Sequence, residues 1–296
     1  MSLILNSSTV ATLAPDLDPA SPCSATTVLR VTGRGLTAVQ NLGPFGTPAA
    51  PLRRLDVSDN VIVSLAGLAG QLSWLQASNN KLRGRVLVEV NDLPNLSFLG
   101  LSGNGISAIP SSALAPHGRT LRALLLNNNR LVRLEHIGHL HALTTLVCSH
   151  NMLEDVSAAA QLAALQKLSA GHNRIASIPR HLGALAHLAE LRLNDNALRL
   201  VPPELSACQS LRLVDLGNNA LADWAAVEPL GALGRLVNLA LRGSECFDRG
   251  TCAHKLSAFG QYGSLVSLLV FYRSAMRGHR CGSRGVILCR SPHPVL

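Results

Sequence analysis

Leu121-x-x-Leu124-x-Leu126-x-x-Asn129-x-Leu131 is one copy of a frame that recurs along most of this chain. The same spacing starts at Leu52, Leu72, Leu96, Leu143, Leu165, Leu188, Leu211 and Leu236, in steps of 20 to 25 residues. Self-similarity at such a period is the mark of a solenoid, in which each unit buries its apolar face only by stacking on the next. Positions 4 and 6 of the frame alternate with their neighbours, which is the two-residue period of a strand. Each repeat therefore supplies one short strand, parallel to those of its neighbours. Position 9 is asparagine at residues 60, 80, 104, 129, 151, 173, 196 and 219. An amide carries both donors and an acceptor, and a buried one without partners is costly. The recurrence therefore predicts a ladder of amides bonded to turn backbone.

After the strand, Leu131, Leu134, Ile137 and Leu140 follow a three-residue step that suits a tight helix or 3-10 turn. Ile109-Pro110, Ile178-Pro179 and Val201-Pro202-Pro203 place proline where the return begins, which favours extended backbone there. Strands pack more closely than such returns. The expected fold is thus an α/β curved solenoid, with short parallel strands on the concave face and helical, 3-10 and extended returns on the convex face.

The frame degrades at both ends, as terminal repeats do when they must cover an open core. Leu29-x-Val31-x-x-Arg34-x-Leu36 replaces asparagine with Arg34, and Leu236-x-x-Leu239-x-Leu241-x-x-Ser244-x-Cys246 replaces it with Ser244. The expected organisation is an N-terminal cap or flexible lead over 1–27 and the solenoid over 28–246. A C-terminal cap follows over 247–271, with a terminal helix and a last strand, and then a basic, disordered tail over 272–296.

Apolar residues make up 47% of the chain and aromatics 3%, so the core must be aliphatic. No apolar run reaches the roughly 18 residues of a membrane span. The start, Met1-Ser-Leu-Ile-Leu-Asn6, lacks a basic region followed by a long apolar stretch, which points to a cytoplasmic chain. Cysteines number seven, without a dense framework of spacings. Cys148 falls on a core position, whereas Cys246, Cys252 and His254 could ligate zinc but read more simply as part of the capping segment. Net charge is +9, yet seven lysines and arginines and no acid follow Asp248, leaving the rest of the chain near balance. The basic character therefore does not argue for a nucleic-acid-binding solenoid.

The repeated frame resembles the leucine-rich repeat superfamily over residues 28 to 246. The repeats at Leu121 and Leu143 resemble the 22-residue subtype of the protein phosphatase 1 regulatory subunit and ciliary leucine-rich proteins. Those at Leu165 and Leu188, with Ile-Pro and Val-Pro steps, are more similar to a 23-residue Ras-scaffold subtype. Thr32-Gly33-Arg34-Gly35-Leu36 followed by Leu55-Asp56-Val57-Ser58-Asp59-Asn60 is similar to the start of ciliary and axonemal members. Ser244-Glu245 stands where the 22-residue subtype carries Asn-Pro. The resemblance implies a monomeric protein-binding scaffold, with a phosphatase-regulatory or ciliary role as its narrower form. Regulation of a small GTPase is the alternative, and the short steps between repeats argue against it.

Positions 3, 5 and 8 should face a partner. Trp74 and Phe98 at position 3, with Leu125 and Val147 at position 5, form an expected apolar area. Lys167, Glu190, Arg192 and Asp215 form a charged area of alternating sign. His150, His172 and Asp195 line position 8, where imidazoles could share a metal but solvated polar groups are the simpler reading. Trp224, at position 14, is expected in the core. No phosphate-binding glycine loop, His-Glu-x-x-His or Gly-x-Ser-x-Gly occurs, so neither catalysis nor a cofactor is expected.

Overall fold

The computed structural model describes residues 3–6, 9, 28–40, 42, 46–47, 50–68, 70–244 and 267–269. Two compact units divide the chain, Met1–Met152 and Leu153–Leu296. In the first, β1 (Ile4–Leu5) pairs in parallel with β3 (Ala38–Val39). Leu5 is fully buried, so part of the expected lead is a packed strand; the apolar triplet Leu3-Ile4-Leu5 is its only sequence signal. A short antiparallel pair joins β4 (Gly46–Thr47) and β5 (Ala50–Pro51). The main sheet of this unit runs β2 (Val28–Arg30), β6 (Arg54–Asp56), β7 (Trp74–Gln76), β8 (Phe98–Gly100), β9 (Ala123–Leu125) and β10 (Thr145–Val147), all parallel. In the second unit the parallel order is β11 (Lys167–Ser169), β12 (Glu190–Arg192), β13 (Leu213–Asp215), β14 (Asn238–Ala240) and β15 (Ser267–Leu269).

From β6 to β14 every strand occupies positions 3 to 5 of its frame. The residue at position 4 is buried in each, and positions 1, 6 and 11 join it in an aliphatic core, as Leu121, Leu124, Leu126 and Leu131 do. Cys148 is one of these core residues, and burial pushes its thiol up to about 12.

The asparagine ladder forms as expected. Asn129 Nδ2 donates to Leu126 O of its own repeat at 3.1 Å and to Leu101 O of the preceding one at 3.0 Å. Its Oδ1 accepts from Ile106 N at 3.0 Å. Asn219 makes the same set with Leu216 O, Leu193 O and Leu198 N. Each amide therefore ties two successive turns together.

Position 8, just before the amide, is left-handed. Asp59, Asn79, Asn128, His150, His172, Asp195 and Asn218 all have φ between 52° and 58°, and Gly103 and Gly243 take that place in two repeats. Glycine, asparagine and aspartate tolerate this backbone best. At Gly103 a second constraint acts, because a β-carbon there would lie 2.0 Å from Asn79 Oδ1.

The returns are mostly 3-10. Leu182, Leu185 and Leu188 each donate an amide to the carbonyl three residues back, so a three-residue step keeps one side apolar. Pro179 and Pro202, with ψ of 133° and 143°, are extended before the 3-10 segments Arg180–Ala184 and Pro203–Ala207. In the Leu121 repeat the expected tight helix or 3-10 turn takes the form of separate turns, in which Leu140 and Leu143 donate to the carbonyls three residues back, and Leu131, Leu134, Ile137 and Leu140 are all buried. One α-helical turn, α1 (Val86–Glu89), occurs instead in a longer repeat, and Glu89 accepts from Ser64 Oγ and Leu65 N.

His117 is fully buried, with Nε2 3.1 Å from Leu93 O. A carbonyl only accepts, so the neutral ring carries its proton on Nε2. Burial lowers the pKa of this imidazole and outweighs its backbone hydrogen bonds.

Two outcomes follow. Asn129→Ala leaves buried backbone groups unpaired and should cost about 2–3 kcal/mol in urea denaturation, whereas exposed Arg130→Ala should stay within about 0.5 kcal/mol. Below the unfolded-state imidazole pKa of 6.5 the unfolded chain takes up a proton that folded His117 resists. Stability should therefore fall as pH drops through that value. Denaturation at several pH values should show a shallower loss for His117→Gln; identical slopes would contradict the assignment.

Candidate functional site

Within the first unit, the parallel register places Arg54, Trp74, Phe98 and Ala123 side by side. Trp74 and Phe98 stack with ring centroids 5.0 Å apart and planes 13° from parallel. Aromatic pairs at such spacing are stabilised beyond their buried area. Both are only half-buried on the strand face, so the stack is a partly exposed plate. The second pair, Leu125 and Val147, are register partners at position 5, and both are half-buried.

The structure thus brings the four expected apolar residues onto four successive strands, as two pairs rather than one cluster. Gly100 and Ala123 lie between the pairs. Gly100 has a specific reason to lack a side chain: a β-carbon there would lie 2.0 Å from Gln76 Oε1. The Gln76 amide lies beside Gly100 and donates to Ser78 Oγ at 2.6 Å.

In the second unit the expected charged group assembles around one carboxylate. Lys167 Nζ lies 3.0 Å and Arg192 Nε 2.6 Å from the same Glu190 oxygen. Asp215 is the register neighbour of Arg192, and its Oδ1 accepts from Gly217 N. Two cations and two anions leave this face locally neutral. At position 8, His172 Nε2 lies 3.3 Å from Asp195 Oδ2, while the Asp195 carboxylate also accepts from Asn194 and Asn218. That carboxylate is surrounded by donors, which suits a hydrogen-bonded surface row better than a cation. Among the described residues no group of three or more His, Cys, Asp or Glu could hold a metal. Cys246, Cys252 and His254 lie outside the described residues.

Trp224 corrects an expectation. It is half-buried rather than core, and it precedes the 3-10 segment Ala225–Ala232, whose Val227 and Leu230 fill the interior instead. In a repeat of 25 residues the return begins at Trp224, and the core step moves past it.

The charged group should bind weakly within itself. The Lys167 and Glu190 side chains retain 35% and 23% exposure, so solvent screens them. A double-mutant cycle on this pair should give a coupling below about 1 kcal/mol that shrinks at high salt.

No family model matches the chain. X-ray radiation resistance-associated protein 1 of Mus musculus is 29% identical over 127 residues, covering 42% of this chain and 14% of that protein. Leucine-rich repeat-containing protein 23 of Bos taurus is 29% identical over 204 residues, covering 55% of this chain and 57% of that protein. The chain thus matches only part of the length of either relative. Among solved structures, a chain of the octameric complex of Latrophilin 3, Unc5D and FLRT2 (LRR) superposes with a TM-score of 0.65 at 20% identity, covering 86% of each chain. The repeated leucine frame, the amide ladder and these likenesses together show that this chain has the leucine-rich repeat fold.

Proposed function

We propose that the chain is a non-catalytic scaffold that binds a partner protein on the strand face of its first unit, with Trp74 and Phe98 as the anchor. The observation that carries this reading is the stacked, half-exposed aromatic pair, in a chain whose aromatics total only 3%. Aromatic side chains held rigid before binding lose little entropy when they are covered, and they dominate interface energetics. Leu125 and Val147 extend the apolar contact. On the second unit, taken by itself, Lys167, Glu190, Arg192 and Asp215 form a further polar surface for a partner, one that adds little affinity because their charges already compensate one another. The matched chain in the solved octameric complex belongs to a multi-protein assembly, which supports an interaction role for this fold.

The narrower form of the proposal is a phosphatase-regulatory or ciliary scaffold in the cytoplasm. Its support is the resemblance of the repeats at Leu121 and Leu143 and of the stretch Thr32–Asn60.

Affinity purification with the intact chain, beside a Trp74→Ala/Phe98→Ala chain of unchanged circular dichroism, tests the surface. Loss of two aromatic anchors should weaken the retained partner by about 30-fold or more. Retention of every partner at the same strength would remove the aromatic pair from the interface. Identification of the retained proteins decides between the two narrower roles.

A further inference from the structure

Charge is distributed unevenly between the described parts of the two units. Residues 28–152 hold 11 lysines and arginines against 5 acids, whereas residues 153–244 hold 8 of each. In the first unit three of these arginines border the aromatic plate. Arg54 is the register neighbour of Trp74 on one side. Arg122 immediately precedes Ala123, the register neighbour of Phe98 on the other side, and its amide donates to Ser97 O at 2.8 Å. Arg53 lies beside Trp74, whose amide donates to its carbonyl at 3.1 Å. All three arginines are exposed, and none has an acidic partner among the described residues.

No acid stands at position 2 or 3 of any repeat from Leu52 to Leu143. The acids of this face lie at the other end of the strands and are already bonded. Asp56 accepts from Ser58 N, and Asp59 accepts from Asn79 Nδ2. The plate therefore has three arginines at the start of its strands, while the two acids of this face, Asp56 and Asp59, stand at the far end.

From this arrangement, and resting on the proposed partner-binding role of Trp74 and Phe98, we propose that the partner contributes an acidic segment in which an apolar side chain covers the aromatic plate and carboxylates on either side meet Arg54 and Arg122. Arg54 and the start of β9 are three strand steps apart, or about 14 Å at the usual spacing. An extended chain covers that distance in about four residues. The matching segment is acidic–x–apolar–x–acidic, laid across the strands. Guanidinium groups suit carboxylates because their fork of donors matches two oxygens.

The test uses the full chain and a labelled peptide with a Glu-Gly-Phe-Gly-Glu core, read by fluorescence anisotropy. The peptide should bind more tightly at low salt. Replacing both glutamates with glutamine, or introducing Arg54→Glu or Arg122→Glu, should weaken binding by about tenfold or more. Moving the glutamates to two residues apart should do the same. Equal binding of the glutamine peptide, indifference to both arginine substitutions, or no binding up to about 1 mM would overturn the acidic assignment. So would stronger, competing binding of an oligothymidylate, which would make the plate a stacking site for single-stranded nucleic acid. Binding that falls in Trp74→Ala but ignores charge would refute the acidic partner and leave the aromatic surface standing. Peptide binding unaffected by Trp74→Ala and Phe98→Ala would instead refute the aromatic surface itself.

Discussion

Everything in this molecule depends on an amide that satisfies two turns at once. The Asn129 side chain donates to carbonyls of its own and the preceding repeat and accepts an amide proton from the preceding one. These backbone groups end each strand inside the protein, where water cannot serve them. Because the same three bonds recur, repeats of 20 to 25 residues can differ in their returns without losing registration of their strands. The variation is absorbed between positions 12 and 1 of the next frame. There 3-10 segments, simple turns and the helical turn α1 all deliver a buried aliphatic residue roughly every third position.

That division of labour frees positions 2, 3 and 5 from structural duty. The two units use the freedom differently. The second binds its own charges, with Glu190 held between Lys167 and Arg192. The first leaves Arg53, Arg54 and Arg122 around a stacked aromatic pair. Near-balance outside the C-terminal stretch thus conceals a separation, with the excess positive charge concentrated in residues 28–152. Charge on a partner-facing surface steers encounter and fixes orientation, while the desolvated aromatic centre supplies affinity. On the proposed reading the first unit supplies both.

Much of this was legible in the leucine frame. Strand positions from Arg54 to Ala240, the core role of Cys148 and the partners of the ladder amides follow from spacing and hydrogen-bond capacity alone. Three features were not. The left-handed row at position 8 depends on backbone angles, and only its recurrent Asn, Asp, His and Gly hinted at it. The pairing of Ile4–Leu5 with Ala38–Val39 joins segments far apart in sequence through two residues, too few to establish a period. Trp224 sits on a nominal core position, yet longer repeats shift where the return begins, so counting from the first leucine fails there. For the candidate surface, spacing named Trp74 and Phe98 but not their stacking. The arginines beside them matter through strand register rather than through sequence neighbourhood.

Photo-crosslinking tests most directly whether the strand face of the first unit is where a partner binds. A photoreactive phenylalanine analogue at position 98 would be compared with the same group at position 132, an exposed valine on the return side. The account predicts partner adducts from position 98 and none from position 132. Adducts from position 132 alone would place the interface on the returns and contradict it.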